Sequence, residues 1–568
     1  MEIIKKYKFL ILVILFTFVA VLPLMQPGFF PIHDDEQVGR LYELNYALES
    51  LHFPPRISQN LGFGYGYPFF NFYPPFVYYV AQLFVFLGFG YIASIKIMIG
   101  IGFILSAVFM YLFSRKYVGD LGGLVAAVLY TYAPYHSVDV YVRGALPEFF
   151  SFVFIPAIFW SLERLSRKQN IGNVLLLSIL GAFLMLTHNL VMLMSIPFFA
   201  AYFLFTLYKN KNWKSYFVSV LSGGILALLL SSYFWIPAIL ENKYTMVNLL
   251  TKELASYQLH FVSIPQFINS PWGYGGSILG PMDGMSLEVG KIHLLLVGAT
   301  LLIFGFNYFV KKIKIEKILI LFSLLFIFSI FIQSYYASFI WDNFFALSYI
   351  QFPWRFMLFA VFTASFISGF LFVLKINQKF KLLIAAVIIG ISLVYYGQFF
   401  RPSEYLEVSD KDYTEEAFIR WDTSIKAFEY VPFGFVTRTS DLGTTIVDIS
   451  KNEIASQTAI LLNGELTYEV IADKPQYKKL EYVALTDSKL QLNTYTFPGW
   501  KVFLNEKEVM YNDDNKFKLI TVIVPYGEGI LEAKFTETKI RLLGNLLTIS
   551  GILLVLFSLP FYKRNIKI

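Results

Sequence analysis

The stretch KFLILVILFTFVAVLPLMQPGFFPIHDDE, residues 8–36, places an apolar run directly before four ionisable residues. The run at 8–27 is long enough to cross a bilayer as a helix. It lacks a small-residue cleavage site, so we expect a retained span and not a removed signal. The HDDE sequence at 33–36 then lies at the mouth of a span, where charged side chains are costly unless they face water or a ligand.

The composition of the 568 residues supports a lipid environment. The chain is 57% hydrophobic and 19% aromatic, which is more apolar surface than a soluble chain of this length buries. The net charge is +7, but the basic residues occur in short clusters between apolar runs, a pattern typical of cytoplasmic loops and not of a nucleic-acid surface. Cysteine is absent, which excludes disulfides, thiolate metal sites and a cysteine nucleophile.

Twelve apolar runs have the length of a membrane span, and they predict a polytopic α-helical membrane protein. The runs are 8–27, 92–113, 121–135, 147–162, 171–187, 190–208, 216–240, 290–310, 318–337, 355–375, 382–398 and 540–562. The positive-inside rule places the basic clusters, and both termini, on the cytoplasmic side. These clusters are Lys5/Lys6/Lys8, Arg115/Lys116, Arg164/Arg167/Lys168, Lys209/Lys211/Lys214, Lys311/Lys312/Lys314, Lys375/Lys379/Lys381 and Lys563/Arg564/Lys567.

The aromatic stretch 65–90 decides whether this orientation is consistent. Pro68, Pro74 and Pro75 interrupt helix continuity, and the density of Tyr and Phe suits the headgroup layer. We therefore expect an interfacial or re-entrant segment within a first outer loop at 28–91. A full crossing is the alternative, and it would invert the orientation of several later loops.

Composition divides the chain into three parts. Residues 1–399 form the membrane domain. Charged residues are more frequent at 400–538, where short alternating runs predict an extracytoplasmic β-sandwich. Residues 539–568 form a final anchoring helix with a basic cytoplasmic tail. The predicted strands lie in FGFVTRTS (433–440), TTIVDIS (444–450), LTYEVIAD (466–473), KKLEYVALT (478–486), KLQLNTYT (489–496) and FKLITVIV (517–524), and Pro498-Gly499-Trp500 leads into a hairpin with Asn505-Glu506 at its tip.

The acidic residues Asp34, Asp35 and Glu36, together with His33, form the first candidate site. Apolar residues at helical spacing continue to Leu51, so a surface helix capped by an aspartate is the structural alternative. A cap uses one side-chain oxygen and leaves the other groups unexplained. Carboxylates in this position bind a divalent cation, orient a diphosphate-like head group through that ion, or act as a general base.

Arg143 and Glu148 form the second candidate site. Glu148 follows Pro147 at the start of an apolar run, so it either complements the positive end of the helix dipole or takes part in a site. The planar guanidinium of Arg143 suits a phosphate or a carboxylate. A headgroup anchor is the alternative for this arginine.

His188 and Arg355 also fall in loops that the topology places outside. His188 interrupts an apolar run, so it is either the polar tip of a helical hairpin or a contact to a carrier phosphate or a sugar hydroxyl. Trp354-Arg355 opens another run, either as an interfacial anchor or as a pair that stacks on a sugar and clamps a phosphate. This convergence of polar loops predicts one external site.

Other classes of enzyme have no support in the sequence. There is no Walker loop, no GxSxG and no HExxH motif. The six histidines are scattered, which does not favour a His-rich zinc site. We expect no nucleotide cofactor and no nucleic-acid partner.

The order of these motifs resembles the GT-C superfamily of polyprenyl-phosphate-dependent glycosyltransferases. More narrowly, four stretches are similar to bacterial 6-pyruvoyl-tetrahydropterin-synthase-related membrane domains, and a fifth to the outer domain of YfhO-type membrane proteins. The four are IHDDEQVGRLYELNYALESLHFPPRISQNLGFGYGYPFFNFYPP, RGALPEFFSFVFIPAIFW, LTHNL and IQFPWRF, and the fifth is PGWKVFLNEKEV. The resemblance covers most of 1–400 and part of 490–535.

The resemblance implies catalytic and substrate-binding residues. Asp34 or Asp35 matches the first-loop acidic residue of GT-C enzymes, a general base or a ligand of Mg²⁺ or Mn²⁺, and Glu148 matches the second outer acidic residue. Arg143, His188 and Arg355 have loose counterparts as phosphate contacts. His33 and Glu36, beside the two aspartates, are further candidate substrate-binding residues from the sequence of the first loop. The surroundings of the acidic residues differ from the oligosaccharyl- and mannosyl-transferase patterns, which leaves metal dependence and acceptor open. A pterin cofactor is not expected, because the histidine triad of the soluble pterin enzyme is missing.

The expected function is glycosyl transfer at the outer face of the cytoplasmic membrane. A polyprenyl-phosphate-linked sugar would be the donor, and a glycan, lipid or protein of the cell envelope the acceptor. The first alternative is a non-enzymatic lipid or glycan transporter that uses the same groove. The second is a catalytically inactive envelope-assembly protein. Charges at one face and the lack of an internal repeat favour the enzyme over the transporter.

Overall fold

The computed structural model describes residues 2–247, 249, 256–440 and 444–564, as a helical bundle followed by a β-rich domain and a last helix. Within these residues, nine helices are long and apolar enough to cross a membrane by length and composition. They are Tyr7–Met25, Tyr91–Tyr141, Leu146–Arg167, Asn189–Lys209, Trp213–Leu240, Lys291–Phe309, Pro353–Val373, Gln378–Gly397 and Lys539–Pro560. Three shorter apolar helices are Phe76–Phe86, Ile171–Thr187 and Lys317–Gln333. The polytopic helical prediction is confirmed, whereas residues 565–568 of the predicted basic tail lie outside the described part.

A glycine turn explains how the runs predicted at 92–113 and 121–135 occupy one helical element, Tyr91–Thr131. Gly119 has φ 74° and ψ 177°, which is not helical and which a residue without Cβ adopts readily. A Cβ on Gly123 would lie 3.0 Å from the backbone nitrogen of Arg115. The chain therefore folds back at Gly119, and the two runs are separate helices.

The aromatic stretch 65–90 forms short helices and no complete span. It contains Phe69–Phe72 and then Phe76–Phe86, which has 11 residues. Eleven helical residues extend about 16 Å, about half of the ~30 Å hydrocarbon core. This length agrees with the predicted re-entrant or interfacial segment.

Two helices form the centre of the bundle. In their most apolar windows, Leu146–Arg167 is 94% buried and Pro353–Val373 is 89% buried, whereas Lys539–Pro560 is 11% buried. Peripheral helices of this kind expose apolar side chains to lipid. Glu148 and Arg355 lie in the first turns of the two central helices, and both are thereby carried into the protein interior.

The other helical elements are mostly short and connect the longer helices. The α-helices are Glu2–Val21, Gln37–Glu49, Pro134–Tyr141, Ile264–Ile268, Ser338–Asn343, Phe345–Ser348, Met357–Gly369, Asp410–Thr414, Glu416–Phe418 and Lys539–Arg564. The 3₁₀ turns are Leu22–Met25, Asn242–Tyr244, Tyr257–Leu259, Tyr335–Ala337, Pro353–Phe356, Phe370–Val373 and Lys451–Glu453, and a π turn spans Ile419–Thr423.

The C-terminal domain is built from antiparallel sheets, as the alternating runs predicted. Its strands are β1 (Thr437–Thr439), β2 (Thr445–Val447), β3 (Ala459–Asn463), β4 (Leu466–Lys474), β5 (Tyr477–Ala484), β6 (Ser488–Tyr495), β7 (Trp500–Leu504), β8 (Lys507–Val509), β9 (Leu519–Val524) and β10 (Gly527–Phe535). The sheets have the orders β4-β5-β10-β7-β8, β3-β6-β9 and β1-β2. Buried side chains of the two larger sheets share one core.

The predicted hairpin at Asn505-Glu506 is confirmed. It joins β7 to β8, and its two central residues have φ 47° and 67°. Two positive φ values are typical of the type I′ turn, whose twist matches that of the strands.

A buried ion network, the joint network, connects the β-domain, the bundle and the last helix. Arg541 Nε donates to Glu241 Oε2 at 2.8 Å, and Arg541 Nη2 donates to the carbonyl of Pro498 at 2.7 Å. Asn71 Nδ2 and Thr538 Oγ1 donate to the two oxygens of Glu241 at 2.9 and 2.6 Å. The joint network therefore ties the last helix to the re-entrant stretch and to the turn before β7.

Candidate functional site

Backbone hydrogen bonds bring the first two sequence motifs together at one end of the bundle. The N–H of His33 donates to Val142 O at 3.0 Å, and the N–H of Asp34 donates to Arg143 O at 2.8 Å. Gln37 Nε2 adds a bond to Gly144 O at 2.8 Å. The acidic loop is thus held along the turn that carries Arg143.

A second buried ion network, the loop-end network, contains Tyr135, Asp139, Arg143, Glu148 and Arg355. Glu148 Oε2 accepts from Arg143 Nη2 at 2.9 Å and from Arg355 Nε at 3.1 Å. Glu148 Oε1 accepts from the Tyr135 hydroxyl, and Arg143 Nη1 also donates to Asp139 Oδ1. The network contains two arginines and two carboxylates and so has no net charge, which lowers the free-energy cost of burying these groups.

The network shows what Glu148 and Arg143 can do chemically. Glu148 is 1% exposed, and both of its oxygens already accept hydrogen bonds, so it positions the two arginines in addition to opening its helix. Arg143 uses both of its terminal nitrogens in hydrogen bonds. Its guanidinium carbon lies 4.4 Å from the ring centroid of Trp354, which is buried. Arg355 uses Nε and Nη1, and its Nη2 has no partner among the described residues.

Asp34 and Asp35 differ in their surroundings. Asp35 Oδ2 accepts from Lys426 Nζ at 2.6 Å. The Asp34 carboxylate is half-buried and accepts no hydrogen bond from the residues that the structure describes. The helix Gln37–Glu49 has Glu36 at its N-cap, without a side-chain capping bond. Helix capping by Asp34 or Asp35 is therefore wrong, and the Asp34 carboxylate is free to act.

The remaining predicted residues have distinct environments. His33 is exposed, and its Nε2 lies 2.9 Å from Tyr274 O. Glu36 is 5% exposed; burial raises its pKa to about 7, against the opposing charge of Arg40. His188 caps the helix Asn189–Lys209, because its Nδ1 accepts from Val191 N–H at 3.3 Å. His188 therefore has a structural role as a helix cap, and its contact to a phosphate or a sugar hydroxyl stays a prediction.

The described side chains do not form a ready metal site. Among the residues 2–247, 249, 256–440 and 444–564, no group of three or more His, Asp and Glu is placed to hold an ion. Asp35 is also occupied by Lys426. Binding of Mg²⁺ or Mn²⁺ by Asp34 and Asp35 stays a prediction, and only protein groups are used in the reaction proposed below.

Sequence reasoning missed several members of this site. Asp139 and Arg143 stand at the i,i+4 spacing of a helical ion pair. This spacing can be read from the sequence and would have predicted their contact. Tyr135 carried no such signal, because Glu148, which accepts its hydrogen bond, lies outside the helical spacing. Trp354 was considered beside Arg355, but nothing local in sequence indicated its contact with Arg143.

Comparison with protein-family models gives a match that covers more than half of the chain. The profile of the 6-pyruvoyl-tetrahydropterin synthase related domain, described as a membrane protein, matches residues 70–402. An uncharacterized protein of Lactococcus lactis subsp. cremoris (strain MG1363) is 25% identical over 250 residues, which cover 42% of this chain and 40% of that protein. This chain thus aligns with less than half of that relative.

Among solved structures, the apo oligosaccharyltransferase of Archaeoglobus fulgidus is similar to this chain with a TM-score of 0.43. The sequences are 12% identical, and the match covers 77% of this chain and 62% of that chain. A similarity at this level assigns neither fold details nor chemistry.

Proposed function

We propose that this protein, which belongs to the 6-pyruvoyl-tetrahydropterin synthase related family of membrane proteins, is a membrane glycosyltransferase. The donor is a polyprenyl-phosphate-linked sugar, and the acceptor is a hydroxyl group of the cell envelope. One observation carries the proposal: the Asp34 carboxylate accepts no hydrogen bond from the described residues, yet its backbone is fixed to Arg143 beside a buried arginine network. The motif order that resembles GT-C enzymes supports the same reaction.

The reaction is a single displacement with inversion at the anomeric carbon. Asp34 accepts the proton of the acceptor hydroxyl, and the hydroxyl oxygen forms a bond to the anomeric carbon. The bond between that carbon and the phosphate oxygen breaks, and polyprenyl phosphate leaves with the electron pair. A positioned general base contributes about 10²–10⁴-fold to such a step.

Arg355 is the residue best placed to hold the leaving phosphate. Its side chain is 12% exposed, and its Nη2 has no partner among the described residues. His188 lies within electrostatic range of both Arg355 and Glu148. Glu148 and Arg143 act as positioning residues, because they hold Arg355 in a fixed geometry before negative charge develops on the phosphate.

The described part of the segment between the helices Trp213–Leu240 and Lys291–Phe309 contacts this end of the bundle. Tyr274 contacts His33 through its carbonyl and donates its hydroxyl to Arg401 O at 3.0 Å. Trp272 stacks on Phe399 with ring centroids 4.7 Å apart. This contact supports the proposal, since it limits the access of water to a reactive glycosyl donor.

The test is release of free polyprenyl phosphate by purified protein in nanodiscs. A panel of polyprenyl-phosphate monosaccharides is supplied with an envelope extract as acceptor, with and without a chelator. We expect wild type to release the carrier and Asp34→Asn to lose about 10²-fold or more of that rate. Asp35→Asn is the matched control, because Asp35 is paired with Lys426. Loss of release on chelation would establish the divalent cation.

Two outcomes would contradict the proposal. Equal release by wild type and Asp34→Asn would remove Asp34 from the reaction. Saturable binding of one donor without release in any arm would favour the lipid or glycan transporter.

A further inference from the structure

Arg40 differs from the other buried arginines of this protein. Four arginines are buried in the part of the chain that the structure describes, none of them more than 7% exposed: Arg40, Arg56, Arg143 and Arg541. Each of the last three has a carboxylate oxygen within 4.0 Å. Arg40 has no such carboxylate among the described residues, and its Nε has no hydrogen-bond partner there. Buried arginines are normally paired, so the isolation of Arg40 needs a physical reason.

Two aromatic rings hold the Arg40 side chain in place. Its guanidinium carbon lies 4.6 Å from the ring centroid of Tyr73 and 4.9 Å from that of Phe69. These two rings also stack on each other, with centroids 4.7 Å apart. Contact with ring faces attracts a cation, but it supplies no negatively charged partner. The rings therefore fix the position of Arg40 without neutralising its charge.

Hydrogen bonds place Arg40 beside the proposed reaction site. It follows Gln37 by three residues in the same helix, so the two side chains lie on one face of that helix. Gln37 Nε2 donates to Gly144 O at 2.8 Å, and its Oε1 accepts from the Tyr78 hydroxyl at 2.7 Å. The Tyr78 hydroxyl also interacts with the guanidinium of Arg40. Arg40 is thus connected through two side chains to the turn that binds the backbone of Asp34.

The carboxyl groups near Arg40 do not pair with it. Glu36 and Glu429 interact with Arg40 electrostatically, but neither lies within 4.0 Å of it. Burial raises the pKa of Glu36 to about 7 and also raises the pKa of Glu429. Both groups therefore carry less negative charge near neutral pH than exposed carboxyls do. Glu36 even stands at the i,i+4 spacing of a helical ion pair with Arg40, and the absence of that pair leaves the arginine available.

Two further groups near Arg40 can donate to an anion. Tyr73 is half-buried, and its hydroxyl makes no hydrogen bond with the described residues. Because its ring centroid is only 4.6 Å from the guanidinium carbon, one oxyanion can reach both groups. Glu36 Oε2 is buried and has no hydrogen-bond partner in the described chain; when protonated, this carboxyl is a donor.

We propose that Arg40 binds an oxyanion of the acceptor, a phosphate or carboxylate group next to the hydroxyl that Asp34 deprotonates. The planar guanidinium donates two parallel hydrogen bonds to such a group, and the Tyr73 hydroxyl donates a third. The assignment of the oxyanion to the acceptor rests on the proposed function, whereas its binding to Arg40 does not. Anionic glycans of the envelope and the head groups of anionic lipids both present this chemistry.

The test measures binding of soluble anions to the full chain in phosphatidylcholine nanodiscs, by calorimetry. The anions are glucuronate and glycerol 3-phosphate, and glucose and glycerol are their neutral counterparts. We expect each anion to bind about tenfold or more tightly than its neutral counterpart, as for charge-assisted hydrogen bonds.

A further arm distinguishes the two sources of the oxyanion. Short-chain phosphatidylglycerol is added to the complex with glucuronate, and short-chain diacylglycerol is its neutral counterpart. Displacement of glucuronate by the anionic lipid alone would identify a lipid head group as the ligand. Retention of glucuronate would identify an anionic glycan.

Variants locate the binding. Arg40→Met keeps an apolar side chain between the helix and the two rings, and it is expected to abolish the preference for anions. Because this variant breaks no ion pair, its melting temperature without ligand should be unchanged or higher. Arg438→Gln, which removes an exposed arginine of the β-domain, is the matched control and should preserve the preference. The wild-type comparison stands even if a variant fails to fold.

Equal binding of the anions and their neutral counterparts by wild type would overturn the inference. So would a preference that persists in Arg40→Met, and its loss in Arg355→Gln instead would place the anion at the loop-end network. Anion preference without donor release would refute the glycosyl transfer and leave the oxyanion site intact. Donor release without anion preference would do the reverse.

Discussion

The joint network and the loop-end network are alike in composition and differ in what surrounds them. Glu241 and Glu148 are each buried, each bound by arginine, and each accept hydrogen bonds at both oxygens. In the loop-end network, however, Asp139 Oδ2 has no partner among the described residues, and neither has Nε1 of the adjacent Trp354. The backbone of Asp34 is bonded to Arg143 of this network. A network whose carboxylate is fully hydrogen-bonded stabilises the joint between domains. A network with unbonded polar groups beside it is suited to bind a ligand.

The largest effect expected is on stability, from breaking the joint network. Arg541→Met leaves Glu241 buried without its cation, which costs about 3–5 kcal/mol. Chemical denaturation in detergent, followed by tryptophan fluorescence, measures this loss. The double variant Glu241→Gln/Arg541→Met is the control, and it should recover much of the stability because no buried charge remains unpaired. No recovery would mean that packing and not charge decides the joint.

Glu43 is a third buried glutamate. Unlike Glu241 and Glu148, it has hydrogen bonds but no salt bridge in the described residues. Asn60 donates to it through N–H and Nδ2 at 3.0 and 2.9 Å, and burial raises its pKa from 4.5 to about 7. The folded protein therefore holds this proton more tightly than the unfolded chain. As pH rises from 4.5 to 7, the unfolded chain loses the proton first, and folding stability falls by about 3 kcal/mol.

Glu43→Gln should remove this part of the pH dependence. Apparent melting temperatures between pH 4.5 and 8 then fall less steeply for the variant than for wild type. Identical slopes would show that folding does not shift the pKa of Glu43.

Arg355→Gln separates the chemistry of the loop-end network from its stability. Loss of the cation proposed to hold the leaving phosphate should lower carrier release about 10²-fold. The melting temperature should fall less than for Arg541→Met, because Arg143 still pairs with Glu148. A large loss of stability with unchanged release per folded molecule would make the loop-end network a second structural joint.

The smallest effect is expected at Asp35. Its partner Lys426 is 45% exposed, and exposed ion pairs contribute ~1 kcal/mol or less. Asp35→Asn should therefore change carrier release and melting temperature only slightly. A loss comparable to that of Asp34→Asn would assign the proton transfer to both aspartates.

Most of the helical fold was predictable because the hydropathy that marks each span is a local property of the sequence. A run of apolar residues forms a helix in lipid whatever its neighbours are, since its backbone must satisfy its own hydrogen bonds. The hairpin at Asn505-Glu506 was predictable for a similar reason, because β-turn chemistry is local. The break at Gly119 agreed with the separation of two predicted runs.

The strands that were missed have ordinary local sequences. β10, with the sequence GEGILEAKF, lies between β5 and β7 but is rich in Gly, Glu, Ala and Lys, which are depleted in strands. Pairing on both sides stabilises it. Long-range pairing therefore overrode the local preference of β10. β3, with the sequence AILLN, was also missed, although its isoleucine is compatible with a strand.

The sequence by itself determined the membrane class, the order of the helices and the concentration of charge at 33–36 and 143–148, because hydropathy and motif order are written along the chain. Only the tertiary structure decided which charges are available. It pairs Asp35 with Lys426 and closes Arg143 within the loop-end network, while Asp34 keeps its carboxylate unbonded among the described residues. Availability depends on partners that are distant in sequence, since burial makes each unpaired charge costly and each paired charge unavailable to a substrate.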